Sequence, residues 1–221
     1  MTVATTLEPK IAIIPAEERK ILYNITWKRY EKIVLDLGDN RATRITYDSG
    51  TLEITMPPEE HERYAELIGI FIRNLIFELG LKIKTMGSTT LSYSELEKSA
   101  EPDKCYYIQN QPKVARKKVS LKTDPPPDIV VEVDITHTNM DKPRIYSAMG
   151  VPELWRYNGE ILRIYQLRNG KYIEVENSPT FPIWVKKNKL YEFIEACGID
   201  EMEAERNLRR WLQEMITGSL G

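Results

Sequence analysis

Apolar positions along the chain repeat with two periods, and the alternation between them predicts the elements. Residues 27, 30, 33, 34 and 37 are apolar at helical spacing, and Gly38 closes the run. Residues 44–56 alternate apolar and polar around Asp48-Ser49-Gly50, which predicts a hairpin that Pro57 and Pro58 terminate. The strongest helix follows: Tyr64, Leu67, Ile68, Phe71, Ile72, Leu75, Ile76 and Leu79 form one apolar stripe, ended by Gly80. Short strands are expected at 81–84 and 105–108, with a turn at 87–90 between them. Residues 110–127 are polar and loop-like, and their Asp124-Pro-Pro-Pro127 end holds the chain extended. Residues 128–135 are β-branched and apolar on both faces, the mark of a central, buried strand. A helix over 142–149 ends at Gly150. Strands at 153–157, 161–167 and 172–175 are separated by Asn158-Gly159 and Asn169-Gly170 turns, and helices at 190–196 and 201–216 finish the chain. The reading is an N-terminal extension over 1–24 and one α/β domain of mixed α+β character over 25–217.

Composition narrows the function classes. Of 221 residues, 42% are hydrophobic and 29% charged, enough apolar material for a real core. Thirty-one basic residues against 33 acidic give a formal charge of −2, which excludes a polyelectrolyte binder that relies on whole-molecule attraction to phosphate. Two cysteines, Cys105 and Cys197, imply no disulfide framework. The start of the chain lacks the blocks of a secretion signal, and no apolar run reaches membrane-spanning length, so a cytoplasmic protein is expected.

The chemistry enters with acids inside apolar strands. Glu132 and Asp134 are two apart in Ile129-Val-Val-Glu-Val-Asp-Ile135 and so point to the same side. A buried carboxylate costs several kcal/mol unless it is paired or metal-bound. An arginine partner or a capping role is the bland reading of either acid. Asp103 lies in Glu101-Pro-Asp103, directly before the strand at 105–108, where a simple turn role is the alternative. Carboxylates on two neighbouring strands with a lysine nearby would make a hard-cation site of oxygen ligands. Mg²⁺ (or Mn²⁺) accepts one or two protein carboxylates and completes its shell with water and phosphate oxygens.

Pro102-Asp103 followed after 28 residues by Glu132-Val-Asp134 resembles the Pro-Asp…(Asp/Glu)-x-Lys signature of the restriction-endonuclease-like nuclease superfamily. Four segments are similar to one restriction-endonuclease-like family of unassigned function, expanded in cyanobacteria. They are Pro58-Glu-Glu-His61, Glu101-Pro-Asp-Lys-Cys-Tyr-Tyr-Ile-Gln-Asn110, Pro126-Pro-Asp-Ile-Val-Val-Glu-Val-Asp-Ile-Thr136 and Asp141-Lys-Pro-Arg-Ile-Tyr-Ser-Ala-Met-Gly-Val-Pro-Glu-Leu-Trp-Arg-Tyr157. The resemblance spans roughly residues 25 to 170. It implies a mixed β-sheet flanked by helices and a metal-dependent phosphodiesterase, with Asp103 and Glu132 at the metal-binding positions. Two residues after the second acid the superfamily usually has lysine; this chain has Asp134. In this family the lysine is displaced onto the following helix, and Lys142 matches it, a long flexible stem reaching the same volume. Asp134 is then either a third ligand or the group that orients Lys142. His61 matches a histidine the family carries at the start of the long helix. Glu66, a candidate for the superfamily's helical glutamate, falls near ~200° on the helical wheel against a stripe centred near ~30°, so it is expected to face solvent.

The implied activity is hydrolysis of DNA phosphodiesters by Asp103, Glu132, Lys142 and His61, with Mg²⁺ or Mn²⁺ on Asp103, Glu132 and Asp134. A basic stretch, Lys113-Val-Ala-Arg-Lys-Lys-Val-Ser-Leu-Lys122, is placed in the loop between the two carboxylate strands, where five cations would suit a DNA backbone. The last helix carries an apolar face of Met202, Leu208, Trp211, Leu212 and Met215, expected to pack on its own core; the alternative is that it closes a homodimer, which cutting both strands of duplex DNA would favour. No Walker loop, dinucleotide glycine fingerprint or zinc cluster is present, and His61 and His137 are the only histidines. The competing functional reading is a nuclease-fold module that binds nucleic acid or protein without cutting. A scaffold with purely structural ion pairs is the third.

Overall fold

The computed structural model describes residues 18–38, 42–87, 89–135 and 140–218. Five strands, β1 (Glu18–Leu22), β2 (Arg44–Asp48), β3 (Thr51–Met56), β5 (Leu91–Tyr93) and β6 (Lys98–Ala100), pair antiparallel throughout in the order β1-β3-β2-β6-β5. Six more, β4 (Lys84–Gly87), β7 (Lys104–Tyr107), β8 (Ile129–Val133), β9 (Glu153–Tyr157), β10 (Leu162–Arg168) and β11 (Lys171–Val175), form a mixed sheet in the order β11-β10-β9-β8-β7-β4. Its one parallel pair is β8–β9, as the helical crossover between those strands requires.

The mixed sheet flanked by helices is the expected core. The antiparallel sheet beside it corrects the picture of a single sheet. Its two three-residue strands, β5 and β6, are too short to show a period. Residues 18–22, read as part of a loose extension, pair with β3 as the edge strand β1. The strand expected at 81–84 begins only at Lys84.

On the antiparallel sheet, Ile45, Tyr47 and Leu52 point to α1 (Trp27–Leu37), whose Tyr30 ring stacks on Tyr47 at 4.7 Å. Thr26 caps that helix by accepting from Arg29 N–H, and Gly38 closes it with φ +68°, a conformation that costs glycine little. Ser49 and Gly50 both have positive φ, the geometry of a tight hairpin turn matched to strand twist.

On the mixed sheet, the odd positions of β8 (Ile129, Val131, Val133) enter the main core with α2 (Glu59–Glu78), α5 (Lys187–Cys197) and α6 (Glu201–Gly218). Leu67, Ile68, Phe71, Ile72, Leu75 and Ile76 of α2 are buried there, each contributing roughly 1.5–3 kcal/mol. A Cβ on Gly69 would meet the Tyr106 hydroxyl at 3.2 Å, so glycine permits this close approach of α2 to β7. Leu208 and Leu212 of α6 are buried in the same core with Trp211 packed against it, while Met202 at the start of the helix is exposed. The even positions of β8 face the other way, toward α4 (Lys142–Ala148), where Val130 joins Ile145 and Tyr146.

The polar stretch 110–127 is ordered by its acids and includes the short helix α3 (Gln111–Val114). Asp128 accepts from Ile108 N–H at 2.6 Å, Asn110 N–H at 2.9 Å and the Asn110 amide at 2.7 Å.

At the start of β9, Glu153 is 2% exposed and accepts from Trp155 Nε1 and Thr180 Oγ1 at 2.6 and 2.7 Å. Burial pushes its carboxyl above the ordinary value of 4.5, against these hydrogen bonds and one from Ser178. The native state thus holds the proton more tightly than the unfolded chain. Its stabilisation is complete below pH 4.5 and is lost as pH rises through the folded value. Glu153→Gln is expected to flatten the decline of stability above pH 4.5, read from urea unfolding across a pH series.

Candidate active site

The two sheets meet where the chain passes from β6 to β7 through Glu101, Pro102 and Asp103. Glu101 is tied back to the antiparallel sheet, accepting from Ile45 N–H at 3.0 Å and Thr90 Oγ1 at 2.7 Å. Pro102 has no N–H to satisfy. Asp103 reaches the mixed sheet: the β7–β8 register pairs Lys104 with Val131 and, continued one residue, sets Asp103 opposite Glu132. Its Oδ2 accepts from Val133 N–H at 2.8 Å and lies 3.3 Å from His61 Nε2. His61 stands in the first turn of α2, 7% exposed.

Glu132 is fully buried, and both of its oxygens are held from α4. Lys142 Nζ donates to Oε2 at 2.5 Å, and the Tyr146 hydroxyl donates to Oε1. Lys142 and Tyr146 are four apart and so share one face of that helix. The helix is started by Asp141, which accepts from Arg144 N–H at 3.0 Å. Asp134, the next residue on the same face of the strand, is engaged by Arg156 Nε of β9 at 2.8 Å. The structure therefore gathers Asp103, Glu132, Lys142 and His61 at one place, with Asp134 at its rim turned toward Arg156.

The electrostatics follow from crowding acids in a dry volume. Burial pushes the Glu132 carboxyl up, reinforced by Asp103 and Asp134 and opposed by Lys142. Burial alone would lower Lys142, but Glu132, Asp103 and Asp134 hold its ammonium well above the usual lysine value. Burial likewise opposes ionisation of Asp103, yet the His61 hydrogen bond and charge, with Lys142, keep its pKa below the usual range. For His61 burial is again the largest influence and lowers the pKa; Asp103 more than offsets it.

His61, Asp103, Asp134 and Lys142 line an open polar cleft that runs between the sheets, with the fully buried Glu132 behind them. Its other wall is built from Arg19, Arg44, Glu53 and Thr55 of the antiparallel sheet. Sequence reading missed this wall. Arg44 and Glu53 are the polar members of alternating strands, indistinguishable by pattern from a solvated face, and Arg19 falls in the stretch taken for an extension. The Tyr146 hydroxyl was missed too, because nothing in its spacing singles it out.

Two other candidates lie elsewhere. Glu66 is exposed, as its wheel position predicts, and pairs with Lys104. The basic stretch 113–122 joins β7 to β8 at the end of that hairpin opposite Asp103, which corrects its placement beside the carboxylates. Lys84 Nζ braces it by donating to Val114 O and Lys117 O, and Lys117 pairs with Asp124. His137 lies outside the described residues.

Residues 27–193 match the Uma2 family, described as "Putative restriction endonuclease". The chain belongs to that family. Among solved structures it is similar to "a putative nuclease belonging to DUF820" from Anabaena variabilis ATCC 29413, with a TM-score of 0.50 and 11% identity over 85% of this chain and 99% of that one. At that identity the likeness is one of fold, and the fold is the restriction-endonuclease-like one. No curated protein matches the chain. No helix among the described residues is long and apolar enough to cross a membrane.

Removing one member of a buried ion pair typically costs about 3–5 kcal/mol, because the other charge is left uncompensated. Lys142→Met is expected to destabilise by that order and Glu132→Gln/Lys142→Met by clearly less. Urea denaturation of the two singles and the double measures the coupling.

Proposed function

We propose that the chain is a metal-dependent endonuclease that hydrolyses DNA phosphodiester bonds at the cleft between its sheets. The observation that carries this reading is the meeting of Asp103, Glu132 and Lys142 from three separate elements, with Lys142 Nζ 2.5 Å from Glu132. The donor chemistry fits a hard divalent cation. Asp103 and Glu132 stand opposite one another on neighbouring strands; burial, reinforced by the neighbouring acids, lifts Glu132, and a bound Mg²⁺ or Mn²⁺ would favour its ionised form. Mg²⁺ takes one or two protein carboxylates and completes its shell with water and phosphate oxygens.

Asp103 and Glu132 would hold the cation, with Asp134 beside them once it leaves Arg156. When bound, the cation polarises a nonbridging oxygen and lowers the pKa of a water. Lys142 stays cationic and places its charge where the phosphorus centre gathers negative charge. His61 fixes the Asp103 carboxylate through Oδ2 and leaves Oδ1 toward the cleft. In the net reaction water adds to phosphorus, one P–O ester bond breaks, and a phosphate monoester and a hydroxyl are released. A module that binds nucleic acid without cutting is the second reading, favoured by Asp134 at the position where the superfamily's lysine usually stands.

A thermal melt with and without Mg²⁺ or Mn²⁺ tests the cation site. Cation at a hundred times its dissociation constant is expected to stabilise the wild type by about 2.7 kcal/mol. Asp103→Asn and Glu132→Gln are expected to lose that response. Plasmid nicking should follow the same pattern, with Lys142→Met retaining cation binding but cutting at least about a hundredfold more slowly. A cation response without nicking on any DNA would favour the non-cutting module.

A further inference from the structure

The cleft has two unlike walls. The mixed-sheet side presents two acids, Asp103 and Asp134, and one ammonium, Lys142, which is already committed to the buried Glu132 behind it. A phosphodiester is an anion, and carboxylates alone repel it, so its approach requires fixed positive charge nearby. The antiparallel sheet supplies that charge in an ordered row. Arg19 of β1 pairs in register with Thr55 of β3, and Thr55 pairs on its other side with Arg44 of β2. Directly opposed residues in antiparallel strands share a face, so all three side chains rise on the cleft side, two strand spacings (roughly 9–10 Å) from the first arginine to the second.

Both arginines are held in place by acids. Arg44 Nη2 donates to Glu62 Oε1 and Oε2 at 3.0 and 3.3 Å, and its Nε stands 3.9 Å from Asp103 Oδ1. Arg19 Nε stands 3.4 Å from Glu53 Oε2, a carboxylate only 1% exposed. The two arginine side chains are 16% and 15% exposed, enough to meet a ligand entering the cleft without being mobile surface charges. A guanidinium presents several N–H donors in a planar fork that matches phosphate oxygens, which a lysine ammonium does not.

We propose that Arg19 and Arg44 form a phosphate clamp, gripping nonbridging oxygens of the DNA strand across the cleft from Asp103 and Lys142. This rests on the nuclease reading and deepens it: one sheet carries the reacting groups and the other holds the backbone of the substrate. Half of the clamp comes from β1, at residues 18–22, outside the segment that matches the family. Arg19 and Arg44 are positioning residues, acting through the phosphate and not on the reacting proton.

The test is fluorescence anisotropy with a 20-base-pair duplex, Ca²⁺ replacing Mg²⁺, over a series of salt concentrations, beside plasmid nicking in Mg²⁺. Arg19→Gln and Arg44→Gln are each expected to weaken binding by about tenfold and to reduce the salt slope by about one. Arg19→Lys should keep the salt slope and lose part of the affinity. Arg19→Gln leaves Glu53 buried beside a neutral group, so Arg19→Gln/Glu53→Gln is included, with its melting temperature measured. The clamp requires that this double variant binds as weakly as Arg19→Gln while folding like the wild type. Recovery of wild-type affinity in the double variant would reduce Arg19 to a counter-ion of Glu53 and overturn the clamp. Unchanged binding in all the arginine variants, with nicking retained, would overturn it and leave the nuclease reading standing. Absence of both binding and nicking in the wild type would instead remove the nuclease reading, and the clamp with it.

Discussion

A fully desolvated carboxylate at the centre of a β-sheet is tolerated only if its charge is answered within hydrogen-bond reach, and Glu132 sets that condition for the whole site. Its two oxygens are answered from one helix, by Lys142 and Tyr146, four residues apart. That spacing fixes the rotation of α4 about its axis. It also fixes the helix against the even face of β8, where Ile145 and Tyr146 join Val130 and Cys105 in a small core. The same strand serves two opposed demands on its two faces. Ile129, Val131 and Val133 bury apolar area against α2, while Val130 and Glu132 seat the chemistry. The apolar face provides the rigidity that a buried charge cluster needs to keep its geometry.

The antiparallel sheet has a parallel division of labour. Ile45, Tyr47 and Leu52 pack on α1, and Tyr30 ties the helix to the sheet through a stack on Tyr47 and a 2.6 Å hydrogen bond to Ser99 Oγ. The opposite face carries Arg44, Glu53 and Thr55, which line the cleft. Each wall is thus one side of a sheet whose other side is a hydrophobic core. Charge across the gap comes close to balance, with Arg19, Arg44 and Lys142 against Glu53, Asp103 and Asp134 among the lining groups.

Most long elements were legible from period alone. The α2 stripe, the hairpin at 44–56, the buried strand at 129–133 and the closing strands and helices all have enough residues to show their repeat. What could not be read has physical causes. Strands of three residues, such as β5 and β6, have no measurable period. An edge strand such as β1 alternates only weakly, because water covers much of it, and its membership in a sheet depends on β3, thirty or more residues away. In the site, Glu132 and Asp134 stood out because acids in an apolar strand are costly, and Asp103 and Lys142 because the spacing of the family signature pointed to them. The cationic wall had no such signal. An arginine on a polar face looks the same in sequence whether that face meets water or another sheet.

The passage from β6 to β7 takes three residues, 101–103, and every one of them is committed: Glu101 to the first sheet, Asp103 to the second, Pro102 to the extended backbone between them. Extended chain advances about 3.3 Å per residue. A single inserted or deleted residue there would displace the Asp103 carboxylate by more than a hydrogen-bond length and turn alternate side chains to the opposite face. Lengthening the distant connection between β7 and β8 leaves both sheets in register. Length variation among relatives should therefore be absent from this three-residue span and collect in the outer loops, a signature that alignment gaps reveal even where the residues themselves have diverged.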